Sequence, residues 1–77
     1  MIAGGRLDDA IATFERAAQV APKNPDVRRL LSLALFDRGD HAAAAIQARE
    51  GLAISPGDVG MRELLTRAES ARPQQAR

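Results

Sequence analysis

Apolar residues recur at intervals of three and four from Leu7 to Ala21, at Leu7, Ala10, Ile11, Phe14, Ala17, Ala18 and Ala21. That spacing places them on one face of an amphipathic helix. Pro22 stops the run. Asn24-Pro25-Asp26 then reads as a helix start, with Asn24 as N-cap and Pro25 at the first helical position. The second apolar stripe is Val27, Leu30, Leu31, Ala34 and Leu35, and Gly39 ends it, because a left-handed residue after a helix costs least as glycine. Asp40 caps a third helix with a stripe of small residues, Ala44, Ala45, Ala48 and Gly51, joined by Leu52. Ser55-Pro56-Gly57-Asp58 breaks the chain again. A fourth helix carries Met61, Leu64, Leu65 and Ala68, with Pro73 as its limit and Gln74-Gln75-Ala76-Arg77 as a polar tail. The pattern predicts an all-α fold of about four helices, and links of two to five residues make neighbouring helices antiparallel.

The pattern repeats. At a shift of 34 residues, Gly5 falls on Gly39, Ala10 on Ala44, Ala17 on Gly51 and Pro22 on Pro56. Val27 falls on Met61, Arg28 on Arg62, Leu30 on Leu64, Leu31 on Leu65 and Ala34 on Ala68. The register holds without a gap from residue 5 to residue 72. An Ala-rich chain supplies some Ala matches by chance, but not Gly, Pro and a paired Leu-Leu in one register.

A two-helix period of 34 residues resembles the tetratricopeptide repeat. Ala10, Phe14 and Pro22 match the second half of that family's pattern, and Leu31, Ala44 and Pro56 match it between Pro25 and Asp58. Gly39-Asp40 matches the turn between the two helices of a repeat, and Leu65 stands where Leu31 stands one period earlier. Arg28 replaces the usual Trp, Ser32 the usual Gly, Leu35 the usual Tyr and Ala48 the usual Phe. The resemblance implies a short α-solenoid of stacked antiparallel helix-turn-helix units. A partial repeat would span 5–24, a complete one 25–58 and a partial one 59–72, within a solenoid of residues 1–72 and a tail of 73–77. A pentatricopeptide repeat has a nearby period and reads RNA, but would be more basic. A plain four-helix bundle would not need the register.

Charge and composition narrow the function. Eleven basic and ten acidic residues give a net charge of +1, which offers no general attraction to nucleic acid or to an anionic membrane. Ten of the basic residues are Arg and 16 residues are Ala, a usage that points to GC-rich coding. With no Cys, a disulfide framework and a Cys-built zinc site are excluded. The longest apolar stretches are a few residues, too short for a membrane span. Met1 to Gly5 lacks the basic start and apolar run of a signal peptide, so a soluble, cytoplasmic protein is the expectation.

Candidate chemistry is sparse. His41 is the one histidine, and with no second His and no Cys it reads as packing rather than as a metal or catalytic site. Ser32, Ser55 and Ser70 lack a nucleophile signature. Asp8 and Asp9 lie in the first turn of a helix, where negative charge suits the dipole. Gly4-Gly5 and Gly57-Asp58-Val59-Gly60 have no preceding strand and no following Gly-Lys-Ser/Thr, so neither is a phosphate loop. No cofactor and no catalytic role are expected.

Two surface features remain. Arg28, Arg29 and Arg62 read either as a solvated face or as a small docking patch for an acidic peptide. Arg29, Leu33 and Phe36 form a second stripe on the second helix, with Glu63, Arg67 and Ser70 one period later. In the tetratricopeptide family the first helix of each repeat lines a concave groove. The resemblance therefore implies a peptide-binding face at Arg29, Leu33, Phe36, Glu63 and Arg67. One subgroup of the family grips a terminal carboxylate with Lys and Asn side chains. The matching positions here are Arg29, Leu30 and Leu33, then Glu63, Leu64 and Arg67, which offer no such clamp. The expected function is a non-catalytic protein- or peptide-binding module. Its rivals are an oligomer scaffold and an accessory repeat segment of a larger enzyme such as a glycosyltransferase or sulfotransferase. The scaffold reading supposes that the Leu7, Ile11 and Phe14 face is left uncovered, so that copies associate through open solenoid ends.

Overall fold

The computed structural model describes residues 4–71. It contains four helices in the predicted order: α1 (Gly4–Val20), α2 (Pro25–Arg38), α3 (His41–Ile54) and α4 (Val59–Ser70). The predicted limit at Pro73 and the polar tail lie outside the described residues. Each helix packs on the next, and α2 also touches α4. The result is a flat body of 39 × 32 × 18 Å.

The helix ends follow the side chains available to satisfy free backbone groups. Asn24 accepts the Asp26 N–H at 2.9 Å, Asp40 the Ala43 N–H at 3.2 Å and Asp58 the Met61 N–H at 3.0 Å. Gly39 adopts φ 96°, and its N–H donates to the Phe36 carbonyl while the Asp40 N–H donates to that of Leu35. This double closure lets α2 turn into α3 within two residues. Helix α1 begins at Gly4, three residues before the predicted start at Leu7. Nothing between Gly4 and Leu7 forbids the helix; glycine only weakens it.

Among the described residues, the core is rich in alanine. Ala44, Ala45 and Ala48 of α3 are buried, as are Ala34 of α2 and Ala68 of α4, with Ile11, Leu31, Leu35, Met61 and Leu64 filling the space between. Ser32, at the position where the resemblance implies Gly, is fully buried, and its hydroxyl donates to the Ala44 carbonyl at 3.1 Å.

Two sequence expectations are corrected. The α1 face is not open: Ile11 is 4% exposed in the main core cluster, and Leu7 and Phe14 pack against that cluster. Helix α1 turns this stripe onto α2, and Asp9, Ala12, Thr13 and Arg16 line a depression on its other side. The second correction is Leu30, placed in the core stripe by its spacing but 42% exposed. Its counterpart one period later, Leu64, is 6% exposed. Leu64 lies where α4 meets α2, and Leu30 has no equivalent neighbour among the described residues.

Among the described glycines, Gly51 is the most closely packed. A Cβ there would overlap Met61 Sδ and lie 3.2 Å from Arg28 Cβ. Met61 is fully buried, so its thioether has little room to move. One period earlier the same two positions hold Ala17 and Val27, a larger residue opposite a shorter one. Overpacking costs about 1–3 kcal/mol, against a helix gain of roughly 0.5–1 kcal/mol for replacing Gly with Ala. Gly51→Ala is therefore expected to lower stability in the parent and to raise it in a Met61→Val background. Urea unfolding of the four proteins, followed by circular dichroism, measures the sign in each; the same sign in both would contradict the packing account.

Candidate functional site

The face shared by α2 and α4 carries most of the residues singled out by the sequence. Leu33 of α2 and Gly60, Glu63, Leu64 and Arg67 of α4 line a shallow depression of about 180 Å³. Val59, Arg62, Glu63, Thr66 and Arg67 line a neighbouring one of about 380 Å³. Glu63 and Arg67 belong to both and form the ridge between them. Leu33 is 43% exposed, beside the exposed Leu30. The floor is thus apolar and its far wall is charged.

Phe36 is placed differently from Leu33. It is half-buried, packs against the core cluster and meets the His41 ring edge-on, with centroids 4.8 Å apart and planes inclined at 65°. It lines neither depression. His41 is correspondingly half-buried at the start of α3.

Arg29 reaches across to α4. Its Nη1 donates to Asp58 Oδ2 at 2.9 Å and its Nη2 to Asp26 Oδ1 at 2.8 Å. The bond to Asp58 joins α2 to the N-cap of α4. Asp58 and then Asp26 hold the Arg29 guanidinium more firmly protonated than usual. The Asp58 carboxyl is held below the usual carboxylate range, first by the Met61 N–H and then by Arg29, against an opposing effect of partial burial.

The three arginines do not form one basic patch. Arg28 donates through Nε and Nη2 to the Pro22 carbonyl and through Nη1 to Gln47, and it pairs with Glu50 at 3.3 Å. It is a half-buried tie between the α1–α2 turn, α2 and α3. Arg62 repeats part of this one period later, donating to the Pro56 carbonyl at 2.8 Å. The geometry separates these guanidinium groups because each spans six residues back to a turn carbonyl. The sequence could show the equal spacing of Pro22 to Arg28 and Pro56 to Arg62, but not the bond. A further depression, about 580 Å³, lies beside Arg28 and is lined by Pro22, Lys23, Arg28, Glu50, Ala53 and Ile54. The Arg28 contacts there are already made within the fold.

Among the described residues, no group of three His, Cys, Asp or Glu side chains is placed to hold a metal ion, and no helix is long and apolar enough to cross a membrane.

A family model described as tetratricopeptide repeat matches residues 2–59. The search of curated proteins and the search of solved structures found no match.

The Asp58 carboxylate, bonded to the Met61 N–H and to Arg29, makes an acid-sensitive contribution. A carboxyl whose pKa is lower folded than unfolded stabilises fully above its unfolded pKa, about 4, and loses that contribution as pH falls through its folded pKa. Asp58→Asn keeps a capping oxygen, as Asn24 does at α2, and removes the titration. Thermal unfolding between pH 2 and pH 6 should show the parent losing stability below about pH 4 more steeply than Asp58→Asn. Parallel acid limbs would show that the Asp58 charge contributes nothing on folding.

Proposed function

We propose, because this chain belongs to the tetratricopeptide repeat family, that it is a protein-interaction module whose α2–α4 face takes a peptide segment of another protein. Repeats of this family are protein-interaction modules in general and generally non-catalytic. The observation that carries the reading is the exposure of Leu33 over the depression formed with Gly60, Glu63, Leu64 and Arg67. An apolar side chain of a partner seated there would remove Leu33, and Leu30 beside it, from water, an interaction worth roughly 25 cal/mol per Å² of apolar surface buried.

Arg29 and Phe36 have supporting parts. Arg29, held by Asp26 and Asp58, fixes α2 against the start of α4 and so sets the width of the groove. Phe36 supports α2 from the His41 side. Leu33, Glu63 and Arg67 supply the surface that a partner would touch. Absence of a Lys or Asn at these positions favours a segment gripped by its side chains over one gripped by its terminal carboxylate.

Leu33→Ser and Phe36→Ala separate contact from support. Leu33→Ser should keep helicity and Tm near parental values and weaken a partner identified by pull-down at least about tenfold, as loss of an anchor does. Phe36→Ala should cost on the order of 2 kcal/mol of stability from its half-buried ring. Calorimetric titration with circular dichroism of each variant makes the comparison. Full affinity in a folded Leu33→Ser protein would remove the groove reading.

A further inference from the structure

Two side chains beside Leu33 carry charge but make no close ion pair among the described residues, either with each other or with a third group. Glu63 and Arg67 enter none of the ion pairs, which join Arg28 to Glu50, Arg29 to Asp26 and Asp58, Arg38 to Asp8, and Arg49 to Glu69. Both side chains line the Leu33 depression. The cation one period before Glu63 is Arg29, and it is neutralised twice over. Next to its apolar floor the groove therefore presents one anion and one cation that make no close ion pair. They lie four residues apart on α4, about 5–6 Å between Cβ atoms.

From this we infer that the partner segment is mixed in charge: an apolar side chain seated on Leu33, flanked by a cation that meets Glu63 and a carboxylate that meets Arg67. This rests on the groove reading above and names the chemistry of its ligand. A wholly acidic segment gains at Arg67 and is repelled at Glu63. A wholly basic one gains at Glu63 and is repelled at Arg67. Only a mixed segment gains at both, so discrimination comes from the repelled contact as much as from the attracted one. The required spacing suits a helical segment, with charges four residues apart. The inference does not fix the direction of the segment, since either order of cation and carboxylate in its sequence can be laid with the cation at Glu63 and the carboxylate at Arg67.

Three twelve-residue peptides with blocked ends test it. They share a central Leu-Leu-Leu, so that the flanking residues stand four apart, and differ only in those flanks: Lys with Glu, Glu with Glu, or Lys with Lys. Each is titrated by fluorescence anisotropy against the parent, Glu63→Arg and Arg67→Glu, with circular dichroism confirming that the variants are folded. The parent should bind the Lys/Glu peptide roughly tenfold more tightly than either like-charged peptide, the expectation for two exposed pairs of which one turns repulsive. Glu63→Arg should instead prefer the Glu/Glu peptide and Arg67→Glu the Lys/Lys peptide. Milder variants, Glu63→Gln and Arg67→Gln, should each narrow the parental preference. The same ranking of peptides by all the proteins overturns the inference, as does failure of every peptide to bind. Leu33→Ser distinguishes the two readings. If it binds like the parent, the groove itself is wrong. If it loses binding while the charge variants leave the ranking unchanged, the groove stands and the mixed-charge ligand falls.

Discussion

The smallness of α3 is the constraint on which the rest of the molecule depends. Where α3 faces its neighbours it presents Ala44, Ala45, Ala48 and Gly51, all buried and none larger than a methyl group. Helix axes can then come close, and the larger residues of α2 and α4 occupy the space that α3 leaves. Met61 enters the position above Gly51, and Leu31 and Leu35 pack around Ala44 and Ala45. The same closeness brings the Ser32 hydroxyl onto the Ala44 carbonyl. Because α2 and α4 are both drawn onto one thin helix, they also meet each other. Their meeting forms the shallow groove, so the shape of that groove follows from residues that never reach it.

Much of this fold was legible in the sequence because its signals are local. Capping by Asn24 and Asp40 needs only residues within three positions, and the left-handed Gly39 needs only the turn itself. The stripe of small residues on α3 was equally plain. What the spacing could not show was which neighbour covers a stripe. Leu30 and Leu64 occupy the same register and share the same side chain, yet one is exposed and the other buried, since α4 has α2 beside it and, among the described residues, α2 has no counterpart on its other side. Ile11 differs in the opposite direction: its spacing suggests an open stripe, and α1 instead presents that stripe to α2.

The candidate site was legible in part, and for a related reason. Leu33, Glu63 and Arg67 share a depression as their periodicity suggested. Arg28, Arg29 and Arg62 looked alike in the sequence and are not alike in the fold. A guanidinium offers five donors on a long flexible stem, and its role depends on which acceptors lie within reach. Arg28 finds a turn carbonyl, Gln47 and Glu50; Arg29 finds two carboxylates; Arg62 finds a carbonyl alone. Counting cations along the chain therefore overstates the positive charge that the surface offers. The charges left over, not the charges present, set what the groove can recognise.

The bonds from Arg28 to Pro22 and from Arg62 to Pro56 each close a span of six residues. Closing so short a loop has a small entropic cost, and the contact can form early in folding, before distant helices meet. The Arg29–Asp58 bond spans 29 residues and waits for the helices to assemble. The two kinds of tie therefore have different histories. A turn held by its own Pro and Arg keeps its form wherever the segment is copied, so duplication of the segment would carry the turn with it. A tie such as Arg29 to Asp58 must be re-established between each new pair of neighbours, and it is there that successive copies are free to diverge.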